Sequence, residues 1–501
     1  MPGSIPIFYS ALLLTGVNLL LRFVGTTFQV YISSTLGPAG VGLLQLTMSV
    51  GSLALVAGMA GVRTATMYLT AEELGKGRSG TLRWVLSGCM GYSILLSGCV
   101  AAALYIFAPW IAGNWIRDMG TVDCLRLFAG FLPVSCLCGV MSGFFTGANR
   151  IGTLAAVEVA EQLCSMAVTL TALRFWAGND PGRACLSVIL GSCIGAAVTL
   201  CSLVVLRLCQ GRAKTAPPIP LGSRLMQTAV PLAAADVVKS GINTVENLMV
   251  PRRLGLHKAT QNPLAAFGLV SGMVFPVLMF PACILFALAE LLIPELARCA
   301  SAGSRQRIGY LVKRGLKVAM VYGLFFGGGL FLIAQPLCQR LYENREAGQY
   351  LQLYALLVPM LYCDCITDAM TKGLGQQKAC VRYNILTSAL DVAGLYVLLP
   401  RLGMEGYFLS FLVTHLINFA LSLGRLLKIS GVRFPVAVPV LGLAGTAAAV
   451  WAAAFVPQTA LRLAVYPPIL LSLLYLLKVV SREDVCWLQG LVRVNSGSHF
   501  R

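Results

Sequence analysis

Charge is scarce in this chain. Of its 501 residues only 11% are Asp, Glu, Lys or Arg, against about 25% in soluble globular proteins, which excludes a water-facing surface over most of the length. Acids are fewer still, 19 against 38 Lys and Arg, and 3 histidines leave little material for a metal site or a His-based catalytic centre. The chain has no P-loop, no Gly-x-Ser-x-Gly elbow in a hydrolase setting, no paired Cys-x-x-Cys and no His-Glu-x-x-His. No catalytic residue, metal or cofactor is expected, and binding and transport fit better than catalysis. The opening MPGSIPIFYSALLLTG lacks a basic start and a small-residue cleavage site, so the first apolar block reads as a permanent helix, not a signal peptide.

What is present is hydrophobic: 57% of residues, in continuous blocks with no period-two alternation. Blocks of about 20 to 25 residues suit helices crossing a roughly 30 Å hydrocarbon core, and the missing alternation excludes barrel strands. The fold class is therefore all-α, a polytopic membrane protein. Spans are expected at 7–33, 41–69, 84–112, 126–148, 152–175, 185–208, 224–251, 264–296, 315–337, 350–373, 382–400, 404–424, 434–456 and 462–479, about fourteen in all. The 17 cysteines lie mostly within these blocks, where a free thiol packs as a small hydrophobe. The net charge of +19 needs no nucleic acid. Counted over alternate loops, about 24 Lys and Arg fall on one side and about 11 on the other, which places both termini in the cytoplasm.

The basic, Pro-rich stretch QGRAKTAPPIPLGS divides the chain. Helices 1 to 6 (1–209) form an N-terminal lobe, 210–223 a cytoplasmic linker, helices 7 to 12 (224–429) a C-terminal lobe, 430–480 a terminal helix pair and 481–501 a cytoplasmic tail. A faint repeat accompanies the division. STLGPAGVGLLQLTMSV after the first helix and RRLGLHKATQNPLAAFGLVSGMVF after the seventh share a Leu-Gly turn and a helix opening with Gly-Leu. Parallel repeats of this kind place a transporter's site between its halves.

Ionic groups inside spans are costly in lipid and mark cavities or partners. Arg22 sits mid-span, with Gln29 two turns along the same face; it either binds phosphate or carboxylate with two parallel hydrogen bonds or pairs with Glu158 or Glu161. Glu158 and Glu161 share a face with Gln162 beside them, and form either part of that site or a cation or proton site. Arg63 is another ionic group of this half. Asp236, Lys239 and Glu246 lie along one face of the seventh helix and either neutralise one another or line a cavity. Arg252 and Arg253 end that helix against the positive-inside trend. Asp364 and Asp368, one turn apart, hold a coupling cation or pair with Lys372, and His415 with Asn418 reads as an interhelical hydrogen bond. Asp391 completes the list of intramembrane acids with Glu290.

Five segments in order, LLRFVGTTFQVYISSTLGPAGVGLLQL, MSGFFTGANRIGTLAAVEVAEQL, TVENLMVPRRLG, GLVSGMVFPVLMFPACILFALAELLIPELA and MLYCDCITDAMTKGLGQQKACVRYNI, resemble the stage V sporulation protein B family of polysaccharide-biosynthesis membrane proteins. That family sits in the multidrug/oligosaccharidyl-lipid/polysaccharide (MOP) exporter superfamily with the lipid II flippases. The resemblance implies a MATE-like, two-lobed transporter of a bacterial plasma membrane, turning over undecaprenyl-pyrophosphate-linked sugars; buried acids such as Asp364 are the candidates for coupling it to H+ or Na+. It marks Arg22, Glu161-Gln162, Glu246-Asn247 and the acids Asp364 and Asp368; Lys239 joins them as a helper to Arg22. Where the family often has a second arginine this chain has Gln29, and Ser165 stands near a position that is often basic, so the site is less positive than is usual. A cation-coupled multidrug exporter of the same superfamily and a membrane scaffold for cell-wall synthases are the alternatives.

Overall fold

The computed structural model describes residues 4–76, 79–178, 180–209, 221–432, 435 and 437–481. Most of the expected linker (through residue 220) and the tail from 482 lie outside the described residues. Among the described residues every regular element is helical, as the continuous apolar blocks require, and all sixteen cysteines are free thiols.

The first helix, α1 (Ser4–Met59), has 56 residues, a rise of about 84 Å that far exceeds one bilayer crossing. It folds at Gly37 (φ 68°, ψ 174°), a conformation essentially restricted to glycine, and Pro38 restarts it with φ already set. The fold falls between the first two expected spans. A second break at Ala60 (φ 38°) and Gly61 (φ 71°) precedes α2 (Val62–Gly75). There follow α3 (Leu82–Trp110), α4 (Thr121–Gly147), α5 (Ile151–Ala172), α6 (Pro181–Leu208) and α7 (Leu221–Leu254). Next come α8 (Pro263–Gly268), a π-helical turn (Leu269–Val274), α9 (Phe275–Met279) and α10 (Cys283–Ser301). The chain ends with α11 (Arg305–Tyr342), α12 (Arg345–Ala355), α13 (Val358–Gly373), α14 (Gln377–Leu402), α15 (Met404–Ser430), α16 (Ala437–Ala454) and α17 (Thr459–Leu476).

Among the described residues ten helices are long and apolar enough to cross a membrane, or up to twelve if each of two bent pairs is one span. The bends are 65° between Pro263–Met279 and Cys283–Ser301 and 57° between Arg345–Ala355 and Val358–Gly373. That count takes α1 and α2 as one stretch. It leaves out α7, whose 34 residues include Asp236, Lys239, Glu246, Arg252 and Arg253.

Two compact units emerge, Met1–Pro276 with Ser388–Ser410, and Val277–Thr387 with Phe411–Arg501. In the first, α4 packs on α2, α3 and α6, and α1 runs along α3 to α8. Close approach comes from glycine. Gly139, Gly143 and Gly147 recur every fourth residue on α4, and a Cβ on the last two would stand 2.3 Å and 2.5 Å from the carbonyl oxygens of Arg63 and Met67. Small residues at this spacing let membrane helices meet backbone to backbone. The same device closes the Gly37 end of the unit. A Cβ on Gly42 would lie 2.4 Å from the Leu264 carbonyl oxygen, one on Gly268 2.0 Å from that of Pro38, and Ser33 Oγ donates to the Gly272 carbonyl at 2.7 Å.

In the second unit α11 is the hub, touching α10, α12, α13, α16 and α17. Gly323 admits Pro359 of α13, and Gly328 admits Tyr466 of α17, whose hydroxyl donates to the Leu324 carbonyl at 3.0 Å. Between α11, the α12–α13 bend and α16 lies an apolar cavity of about 530 Å³, walled by Leu324, Phe331, Pro359, Leu443 and Trp451.

The glycine contacts set a stability test. Gly268→Val forces apart the backbones of α1 and α8, an overpacking cost of about 1–3 kcal/mol. Gly130→Ala, with nothing within 4 Å of the new methyl, costs nothing. Thermal unfolding of the purified protein is expected to show a clear drop for the first variant and none for the second.

Candidate functional site

The ionic patch of the first unit is built on α5. Gly191 and Gly195 leave α6 bare, so a Cβ at Gly195 would stand 3.3 Å from Cγ of Glu161. With α5 seated this closely, Thr199, one turn beyond Gly195, donates its hydroxyl to Glu161 Oε2 at 2.7 Å. One turn back on α5, Glu158 has Arg63 and Glu161 as its charged neighbours. Arg63 belongs to the segment that the α4 glycines hold in place. On the facing side, Gln162 Nε2 donates to the Leu21 carbonyl at 3.1 Å, and Gly25 provides the room for that amide. The contact pins α1 one residue before Arg22.

The Arg22 side chain itself is exposed and Gln29 is half-buried. Thr26 and Thr27 donate at 2.9 Å to the carbonyls of Arg22 and Phe23, so three successive carbonyls of α1 accept from side chains around Arg22. Thus α1, α2, α5 and α6 bring the Arg22 segment, Arg63, Glu158, Glu161, Gln162 and Thr199 into one neighbourhood. Of these, Arg63 is legible in the sequence as an intramembrane charge, whereas Thr199 carries no sequence signal.

On α7 the expected charged face divides. Asp236 and Lys239 are exposed. Glu246 is hydrogen-bonded to Asp391 of α14, and Asp391 Oδ1 accepts from Ser410 Oγ of α15 at 2.6 Å. Tyr407 sits against both acids, with Ser271 of the π-helical turn on its hydroxyl. The two acids therefore face each other in a cage completed by Ser410 and Tyr407. Asn247 donates to Ser49 Oγ at 2.8 Å and Thr244 to the Ser49 carbonyl at 3.0 Å, tying α7 to the second arm of α1. Gln162 and Asn247, both expected at the substrate, therefore each give one donor to α1.

In the second unit Asp364 accepts from Asn418 Nδ2 at 3.1 Å and 3.4 Å, and Asp368 pairs with Lys372 at 2.6 Å. The interhelical role expected of Asn418 is thus directed to Asp364, while His415 stacks on Phe411 at 3.8 Å. Among the described residues no group of three His, Cys, Asp or Glu side chains is arranged to hold a metal ion.

Comparison with known proteins gives the context. Residues 8–300 match the family described as polysaccharide biosynthesis protein, and residues 231–397 match the family described as MatE. A curated relative, stage V sporulation protein B of Bacillus subtilis (strain 168), is 23% identical over 410 residues, covering 79% of this chain and 78% of the relative. Among solved structures, the lipid II flippase MurJ in an inward closed conformation superposes with a TM-score of 0.71 at 13% identity, covering 92% of this chain and 98% of that one. An inward-facing multidrug resistance MATE family transporter of the MOP superfamily gives 0.65 at 13% identity, covering 83% and 98%. The expected MATE-like fold is the fold observed, and the chain is a multi-pass membrane protein.

The Thr199 contact is testable without a substrate. Thr199→Val leaves a carboxylate oxygen without its donor and is expected to lower stability by about 1–3 kcal/mol. In a Glu161→Gln background the same change is expected to cost less, with a coupling of about 1 kcal/mol in the double-mutant cycle, read by thermal or denaturant unfolding.

Proposed function

Because this chain belongs to the polysaccharide biosynthesis protein family, we propose that it is a flippase. It carries a lipid-linked saccharide or peptidoglycan precursor from the cytoplasmic to the outer leaflet of a bacterial plasma membrane by alternating access. The observation that carries this reading is the ionic patch around α5, set among apolar helices of the first unit. Arg22 grips the pyrophosphate with parallel hydrogen bonds, Lys239 adds charge, and Gln29, Glu161, Gln162, Glu246 and Asn247 meet sugar hydroxyls or peptide. The apolar cavity of the second unit has the lining a hydrocarbon chain needs. Fourteen crossings, lobes 1–209 and 224–429, the terminal pair 430–480 and cytoplasmic termini belong to the same proposal, with the closed Gly37 end as the outer one.

The Glu246–Asp391 pair is the candidate for coupling to a proton or sodium gradient, ahead of Asp364 and Asp368. Those two acids face a neutral amide and a cation, Asn418 and Lys372, whereas Glu246 and Asp391 are two acids set against each other. A second reading, a cation-coupled multidrug exporter, draws on the MatE match over 231–397. It predicts efflux of cationic dyes that survives loss of Arg22.

Reconstitution in vesicles decides between these readings. Outer-leaflet appearance of lipid II is measured against a teichoic-type precursor, and Arg22→Ala is expected to slow turnover of the preferred lipid about 10- to 100-fold, the value of a charge-assisted contact. Undiminished turnover by that variant sinks the phosphate role. Asp391→Asn is expected to make the residual turnover insensitive to an imposed proton or sodium gradient, measured with and without ionophore; a retained gradient response removes the pair from coupling.

A further inference from the structure

Cys124 and Cys185 stand in the first turns of α4 and α6. Their thiols are neighbours, and Cys185 also lies beside the Thr47 side chain of α1. Cys124 Sγ lies 3.8 Å from the Gly182 carbonyl oxygen, and both residues are 0% exposed within one apolar cluster with Ile32, Leu44 and Ile189.

Two matching turns bring them together. Asp118 Oδ1 accepts from the Gly120 N–H at 2.8 Å, and Asp180 Oδ1 accepts from the Gly182 N–H at 3.0 Å. Each turn launches a helix whose cysteine lies one turn on. A Cβ on Gly182 would stand 3.8 Å from the Gly120 Cα, an ordinary van der Waals contact, so the two helix starts lie side by side with about a methyl's width between them. The helices then run parallel in constant register: Cys124 meets Gly182 and, further along, Cys138 Sγ meets the Ala196 carbonyl at 2.9 Å, each pair 58 residues apart. Disulfides need Cα atoms within about 4.4–6.8 Å, so the pairing requires the two helix starts to stay this close.

We propose that Cys124 and Cys185 form a reversible disulfide site that staples α4 to α6. The oxidant is a low-molecular-weight disulfide, since full burial admits only a small reagent. One thiolate attacks a reagent sulfur and expels the first reagent thiolate; the second cysteine, giving up its proton, attacks the mixed disulfide and expels the second. Two protein thiols are oxidised by two electrons, the reagent is reduced to two thiols, and the two protons end on them. The pair lies beside Ile32 and Leu44, at the Gly37 end. The distribution of Lys and Arg assigns that end to the exterior, where disulfides persist. Cys185 lies beside Thr47 of α1, so formation of the staple is felt by α1.

The full chain in lipid nanodiscs is treated with dithiodipyridine, remaining thiols are alkylated, and the digest is mapped without reductant. A peptide linking Cys124 to Cys185 is expected, lost on reduction and absent from Cys124→Ala, in which Cys185 is instead trapped as the stable mixed disulfide. The oxidised wild type is expected to melt several degrees above the reduced form, and the double Cys124→Ala, Cys185→Ala variant is expected to show no such rise. Recovery of both cysteines alkylated from oxidised wild type, or linkage of Cys185 to another cysteine, overturns the proposal. Neither readout depends on transport.

Discussion

Hydrocarbon offers no hydrogen bond, so each polar group placed in it has to be satisfied from within the protein. That constraint organises the interior of this chain. Glu161 takes its donor from Thr199, Asp364 from Asn418, Asp368 from Lys372, and Glu246 and Asp391 hold each other inside a cage completed by Ser410 and Tyr407. Each pairing except Asp368–Lys372 bridges different helices, so the ionic groups also set which helices are neighbours.

Satisfying such groups demands short distances between helix axes, and glycine supplies them. The rows on α4 (Gly139, Gly143, Gly147) and α6 (Gly191, Gly195) place the segments that bear Arg63 and Glu161. With larger residues there, the Thr199 hydroxyl would stand back from the Glu161 carboxylate and the acid would be left without its donor. Packing and electrostatics are therefore one problem here. The backbone contacts between Gly42, Gly268 and Gly272 and their neighbours close one end of the first unit by the same means.

Much of the fold was legible. Continuous apolar blocks foretold helices, and the break between the first two spans lies at Gly37-Pro38, where local backbone chemistry allows little else. The bends within α8–α10 and α12–α13 and the break before α2 were not foreseen, because they lie inside apolar runs whose composition does not change across them. The candidate site was legible as a set of costly residues: Arg22, Glu161, Glu246, Asp364 and Asp368 stand out against their surroundings. Of their partners, Lys372, one turn after Asp368, was legible; the others were not. Ser410 and Thr199 are ordinary hydroxyls in apolar helices, and Asp391 was visible as an acid without any sign that Glu246 was its neighbour.

The sequence by itself determined that this protein lives in a membrane, that it is helical, and which side chains are too polar to face lipid, because hydropathy and charge act locally along the chain. Only the tertiary structure decided which polar group answers which. Contacts such as Gln162 to Leu21, 141 residues apart, and Asn247 to Ser49, 198 apart, depend on where whole helices come to rest. That placement follows from the summed fit of glycine-lined surfaces over many turns, which no single stretch of sequence contains.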